Sequence, residues 1–366
     1  MKLVVFGLSV TSSWGNGHAT LWRGLIKALG ARGHRVVFFE RDVPYYADHR
    51  DLTEVPGGEV VLYGDWAGAA ARAKKELRDA DVGMVTSYCP DGPEACSLVL
   101  ESKTAVKSFY DLDAPVTLRR VREGEPVGYL PADGLRGFDL VLSYTGGAAL
   151  LELRNLLGAR HVAALYGSVD HDVHRPTKPK PEYRCDVSYL GTYSEDRQAA
   201  LETLFIEPAR RLPARKFLIG GSQYPAEFPW SANTYFVKHV PPGDHAAFYS
   251  SSRITVNVTR AAMAAMGYCP SGRLFEAAAC GVPILSDDWE GLDRFFEPGL
   301  EIIVARTAGH AMDAFAMSDE QLRRIARAAR ERVLATHTAA VRALELENIL
   351  DAARKAPGER ASGMET

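Results

Sequence analysis

Residues 257–287 read NVTRAAMAAMGYCPSGRLFEAAACGVPILSD, and they decide the fold class. The stretch begins at the end of a β-branched run, Ile254 to Val258, and closes on another, Pro283-Ile-Leu285. Between them Pro270-Ser-Gly forms a helix entry, the helix runs from about Ser271 through Cys280, and Gly281 stops it. Strand, helix and strand at this spacing call for parallel pairing.

The same alternation extends in both directions. Upstream, strand-like runs fall at Leu3–Phe6, Val36–Phe39, Val60–Leu62, Val82–Val85, Ala105–Phe109, Leu140–Leu142 and His161–Leu165, separated by helical patterns such as 20–32, 69–80 and 148–157. Residues 168–183, SVDHDVHRPTKPKPEY, break the rhythm with three prolines and no apolar period, and read as a linker. After it the pattern restarts at Val187–Leu190, a helix from about Asp196 to Arg211, Lys216–Ile219, Tyr235–Val237 and the quoted stretch, followed by Ile302–Val304 and two amphipathic helices, 319–336 and 339–355. The expected fold is α/β: two Rossmann-like, doubly wound parallel-sheet domains over 1–168 and 184–335, a linker at 169–183 and a frayed tail at 356–366.

Composition narrows the function. The 366 residues carry 43 Lys plus Arg against 46 Asp plus Glu, a net charge of −3, with no long basic run to bind a nucleic-acid backbone. Five cysteines with no CxxC pair read as free thiols. The apolar opening, Lys2 to Val10, is too short to span a membrane and lacks a cleavage site, so a cytoplasmic location is expected.

In open parallel sheets ligands sit beyond the carboxyl ends of the strands. The C-terminal strand-end loops are rich in glycine, hydroxyls and arginine: Gly191-Thr-Tyr193, Gly220-Gly221-Ser222, Asn257-Val-Thr-Arg260 and Ser271-Gly272-Arg273-Leu274. A helix N-terminus offers free amides and a positive dipole end, and Arg273 in its first turn completes a diphosphate cradle. Glu276 lies on the same face, placed to accept from two ribose hydroxyls, unless the two merely form a surface ion pair. Arg197 beside Gly191-Thr192 is either a second phosphate contact or a solvated capping residue.

Asn257-Val-Thr-Arg260, Pro270-Ser-Gly-Arg-Leu-Phe-Glu276, Cys280-Gly-Val-Pro283 and Ser286-Asp287, with Ser13-Trp14, His18, Gly33-His34, Phe39-Glu40 and Tyr45-Tyr46 near the start, resemble GT-B glycosyltransferases, the CgeB-like (spore-maturation-protein) family in particular. The resemblance runs to about residue 335. It implies a hexosyltransferase working in a cleft between two domains, with a family-4-like donor domain, a nucleobase read near Gly220–Ser222 and Val240–Phe248, and a last helix, 336–355, bracing the first domain. It also implies that Glu276 matches the second glutamate of an E-x7-E motif and contacts the donor ribose. The first glutamate would fall at 268, where this chain has Tyr268. Its donor-sugar contact is therefore not carried over, and inversion becomes the expected course.

His18, after the first strand and at the start of a helix, is the candidate base. In a retaining reaction it would hold a phosphate or sugar hydroxyl instead, and a third reading makes it part of a cap. Asp111 and Asp113 are the other acid–base candidates, or helix caps. Trp14, Trp22, Tyr88 and Tyr144 could stack on an acceptor or lie in the core. Asp170-His-Asp-Val-His174 has ligand spacing but no third partner nearby, so no metal and no resident cofactor is expected. The reading is a metal-independent transfer of a sugar from a nucleotide-diphosphate donor to a hydroxylated or amine acceptor, small molecule, glycan or protein. A nucleotide-sugar 2-epimerase and a non-catalytic donor-binding partner are the rivals, and a homodimer stays open.

Overall fold

The computed structural model describes residues 1–355; the expected tail, 356–366, lies outside the described residues. The described residues divide into two compact units, one over Met1–Leu165 rejoined by 342–355, the other over Tyr166–Val341.

The first unit is built on seven strands: β1 (Lys2–Gly7), β2 (Arg35–Arg41), β3 (Gly58–Tyr63), β4 (Val82–Thr86), β5 (Val106–Asp111), β6 (Leu140–Ser143) and β7 (Val162–Ala164). Their order is β3-β2-β1-β4-β5-β6-β7 and every pairing is parallel. Helices cover both faces, which is why β1 and β4 are buried almost end to end and read as continuous apolar runs. The sheet packs tightly enough that a Cβ on Gly7 would lie 2.4 Å from the Phe38 ring. The final helix, Ala339–Lys355, places Ala343, Leu346 and Leu350 in the same core as Leu3, Val5 and Trp22, and Glu347 accepts from Arg32 and His34.

The second unit carries β8 (Cys185–Leu190), β9 (Phe217–Gly221), β10 (Thr234–Lys238), β11 (Ser252–Asn257), β12 (Ile284–Ser286) and β13 (Ile303–Val304), in the order β10-β9-β8-β11-β12-β13, again all parallel. Both sheets therefore reverse strand order once, between β1 and β4 and between β8 and β11. Those are the two places where strand-end loops part and leave room for a ligand.

Two elements differ from expectation. The proline-rich 168–183 segment is folded onto the second unit: the Lys180 amide donates to Ser251 Oγ at 2.8 Å, the Tyr183 hydroxyl donates to Asp244 at 2.9 Å, and His174 and Tyr183 are buried. The helix expected over Asp196–Arg211 is interrupted by a π turn at Glu202–Ile206, which ends two residues before Pro208. A wider turn spares the helix the amide that proline cannot supply. The helices Gly92–Glu101 and Pro242–Ser250 escaped the sequence because each carries a proline in its first turn, Pro93 and Pro242, which reads as a breaker but fits there. Among the described residues no helix is long and apolar enough to cross a membrane.

Candidate active site

In the second unit the switch point lies beyond Leu190 and Asn257, the last residues of β8 and β11. Arg273, in the first turn of the helix Gly272–Ala279, reaches both: Nη1 donates to the Leu190 carbonyl at 2.6 Å, Nη2 to the Val258 carbonyl at 3.0 Å and Nε to Ser271 Oγ at 3.2 Å. The guanidinium also lies over the Tyr189 ring at 5.3 Å. Glycine at 191 makes room for it, since a Cβ there would sit 2.7 Å from Nη1. Gly221 brings the next loop closer still, because a Cβ at 221 would fall 2.0 Å from the Gly191 carbonyl oxygen.

Arg197 and Arg260 join it. Arg197 Nη1 donates to the Thr192 carbonyl at 2.9 Å, while its Nε is buried with no hydrogen-bond partner among the described residues. Arg260 Nε donates to Asp196 at 2.9 Å, and Asp196 also takes the Ser194 hydroxyl. Burial, reinforced by the nearby Arg273 and Arg260 guanidiniums, pushes Arg197 below its ordinary value. An anion at the Gly191-Thr192 turn would relieve that repulsion and take the free N–H. Thr192 and Ser222 hydroxyls lie 3.3 Å apart at the same turn.

Two of the expected donor contacts point elsewhere. Leu274 is fully buried on the inner face of its helix, in the hydrophobic core, and Asn257 is buried at the end of its strand with its amide donating to Ser286 Oγ at 3.0 Å. Ser271 and Gly272 form the helix entry with no side-chain cap, leaving the first amides open. Glu276, 8% exposed, faces His174 Nε2 at 3.9 Å and His245 Nδ1 at 3.7 Å. Burial opposes its ionisation, but the His174 and His245 rings and Arg273 outweigh that and hold the carboxyl low; burial likewise lowers the His174 imidazole. The meeting of these two histidines at Glu276 is absent from the linear pattern, which shows His174 only as part of a short DHDVH run.

In the first unit the loop after β1 is shaped by Glu40 at the end of β2. This fully buried carboxylate accepts from Ser9 Oγ at 2.8 Å, the Val10 and Thr11 amides at 2.7 and 3.0 Å, and Thr11 Oγ1 at 2.5 Å. Asn16 then caps the helix Gly17–Ala31, accepting from the His18 amide at 3.1 Å and donating to the Ser9 and Ser12 carbonyls. His18 is thereby fixed in the first turn. Its Nδ1 is buried without a hydrogen-bond partner among the described residues, and burial, partly offset by Asp113, lowers its pKa. Beside it the Tyr88 hydroxyl donates to Asp113 Oδ2 at 2.9 Å, from a backbone held at φ 63°.

The two aspartates separate in role. Asp113 stands at the N-cap position of the helix Ala114–Arg122 without a side-chain capping bond and adjoins His18, whereas Asp111 is 0% exposed and accepts from the Asp113 amide at 3.0 Å. Burial pushes Asp111 up to about 6. A carboxyl raised from 3.8 stays protonated in the folded state after the unfolded chain has ionised, so its contribution to stability is lost as pH rises from about 4 to 6. Relative to Asp111→Asn, the wild type should lose about 2–3 kcal/mol between pH 4 and pH 8, read by denaturant unfolding at both values; parallel curves would place the ionised form in the fold. Of the aromatic quartet, Trp22 is 1% exposed and belongs to the core, while Trp14 stacks on His49 at 4.2 Å.

Both sheets, each doubly wound and all parallel, with helix-capped strand-end loops, have known counterparts. This chain is similar to sucrose-phosphate synthase from Thermosynechococcus elongatus, with a TM-score of 0.69 at 15% identity over 96% of this chain and 99% of that one. This is a GT-B fold. The HepE protein of Anabaena, in complex with UDP and glucose, matches the GT-B fold of this chain with a TM-score of 0.64 at 13% identity, over 96% of this chain and 100% of that one. AviGT4, a glycosyltransferase involved in avilamycin A biosynthesis, does so with 0.61 at 14% identity, over 96% and 98%. Within the GT-B fold, residues 197–348 match a sequence family described as glycosyl transferase-like. That segment holds Arg197, Arg260, Arg273 and Glu276. Comparison with curated protein sequences gives no match.

Proposed function

We propose that this protein is a glycosyltransferase that moves a sugar from a UDP-sugar to a hydroxylated or amine acceptor. The observation that carries the reading is the meeting of Arg197, Arg260 and Arg273 at the β8–β11 switch point, with a buried, unpartnered Arg197 Nε. UDP is the donor nucleotide of choice because HepE, of the same fold, is described in complex with UDP and glucose. The diphosphate would take N–H groups of Arg197 and Arg273, the Thr192 and Ser271 hydroxyls and the open amides at Gly272, so that guanidinium and helix-end charge rather than a metal meet the leaving group. Glu276 would accept from the ribose hydroxyls. The motifs of 257–287 favour the CgeB-like branch.

On the acceptor side, His18 is the base. Its lowered pKa keeps the imidazole neutral near pH 7, and its buried Nδ1 fixes which nitrogen lacks a protein partner. Asp113, tied by Tyr88, would favour the imidazolium as the proton arrives. Inversion follows from a base at His18 and from tyrosine at 268.

Thermal unfolding alone and with millimolar UDP, GDP, TDP, CDP and ADP tests the donor. At one hundred times Kd a bound ligand stabilises by about 2.7 kcal/mol, several degrees in Tm. UDP should shift the transition selectively; no shift with any diphosphate would remove the donor assignment. Glu276→Ala should raise the donor KM by about 10-fold or more, the loss expected for hydrogen bonds to a charged group. An unchanged KM would remove its ribose role. Turnover of donor without any acceptor would mark a 2-epimerase instead.

A further inference from the structure

Three side chains from distant parts of the second unit converge in its interior. His174 comes from the 168–183 segment, His245 from the helix Pro242–Ser250 and Glu276 from the helix Gly272–Ala279. One ligand atom from each lies within 4.8 Å of the others. We propose that His174, His245 and Glu276 form a binding site for a divalent transition metal of the zinc class.

The polar atoms are otherwise unexplained. His174 is 5% exposed, and both its ring nitrogens are buried with no hydrogen-bond partner among the described residues; His245 Nδ1 is in the same state. Buried polar atoms left this way destabilise the fold unless something absent from the polypeptide satisfies them. The nearest charged atoms do not, because 3.9 and 3.7 Å to Glu276 are beyond hydrogen-bond length. They are close to the separation of neighbouring ligands around one tetrahedral ion, about 3.4 Å for bonds of about 2.0–2.1 Å. They run to different oxygens of Glu276, Oε1 and Oε2, so to share one ion the carboxylate turns and the three side chains draw in from a span of up to 4.8 Å.

His245 is also oriented as a metal ligand should be. Its Nε2 lies 3.2 Å from the Val240 carbonyl oxygen, which can only accept, so the proton resides on Nε2 and the Nδ1 lone pair points to the cluster. Two imidazoles and one carboxylate are a borderline-soft set that suits zinc or cobalt better than magnesium or calcium, which prefer oxygen. Three protein ligands leave one position open. The ion would clip the 168–183 segment to the two helices, and a monodentate Glu276 keeps its second oxygen for a ribose hydroxyl. The site is thus additional to the donor reading and does not depend on it.

The test uses full-length protein stripped with chelator, desalted, and titrated with CoCl2 or ZnCl2. Wild type should keep about one equivalent after a second desalting, develop the visible absorption of a nitrogen-ligated tetrahedral Co2+, and unfold several degrees higher with Zn2+ than in chelator. His174→Ala and His245→Ala should each lose all three signals. Their unfolding in chelator serves as the folding control, and His245→Asn replaces any variant that fails it. Wild type that retains no metal, or variants that retain as much as wild type, would overturn the site. The UDP shift, measured in chelator alongside, reports on the donor reading separately.

Discussion

Arg273→Ala should abolish the UDP-induced rise in Tm and lower kcat/KM for the donor by about 10²-fold or more, since each charge-assisted contact to a phosphate is worth about 1.5–3 kcal/mol. The effect is large because the guanidinium serves two structures at once. It ties the chain at the ends of β8 and β11 through the Leu190 and Val258 carbonyls, and its Nε donates to Ser271 Oγ at the helix entry. Truncation leaves two carbonyls without their donor, so the variant should also lose roughly 2–5 kcal/mol of stability in the absence of ligand. Arg273→Lys separates the two contributions: a single ammonium retains the charge but cannot span both strand ends. Lys should therefore recover part of the UDP shift and little of the stability. A variant with lowered stability and an undiminished UDP shift would make Arg273 a purely structural residue and hand the diphosphate to Arg197 and Arg260.

His18→Ala should lower kcat by about 10²–10⁴-fold with the donor KM within about threefold of wild type, the pattern for losing a general base rather than a binding group. The pH profile gives an independent reading. Burial lowers the His18 pKa, so the wild-type acid limb should fall below 6.5 and disappear in the variant. His18→Gln, which keeps a polar side chain at the helix start but cannot take the proton, should behave like Ala. A fall of less than about 10-fold in kcat would leave His18 as a loop-shaping residue and turn attention to Asp113. Asp113→Asn would then be the informative change, because it keeps the acceptor of the Tyr88 hydroxyl while removing the charge.

The arithmetic of strand and helix patterns was enough for the architecture. Parallel strands buried on both faces have to be apolar runs, helices between them have to be amphipathic, and Gly281 or Ser271 marks an end wherever it stands. Those are local properties, carried by consecutive residues, and the 257–287 stretch alone contains a complete crossover. Arg273 and Glu276 were legible for the same reason: one helical turn puts them on one face whatever surrounds the helix. Local pattern misled where a residue has two uses. Proline marks breaks and also first turns, so Gly92–Glu101 and Pro242–Ser250 were hidden, and three prolines made 168–183 look like a linker although Tyr183 and His174 are buried in the second unit.

Side-chain role was a different matter, because it depends on what arrives from elsewhere in the chain. Asp111 and Asp113 are two residues apart and chemically identical, yet the first ends its strand in the interior as a raised, inaccessible carboxyl and the second stands at the next helix entry as the neighbour of His18. Asn257 belongs to the resembling motif but gives its amide to Ser286. His174, His245 and Glu276 are separated by 71 and 31 residues, and no spacing rule joins them; three segments had to fold before their nitrogens and carboxylate could face one another. The sequence by itself determined two doubly wound sheets and the helix that bears Arg273 and Glu276, since periodicity and helix ends are written in neighbouring residues. Only the tertiary structure decided which polar groups are left unpaired in the interior, because burial and partnership belong to contacts between residues far apart in the chain.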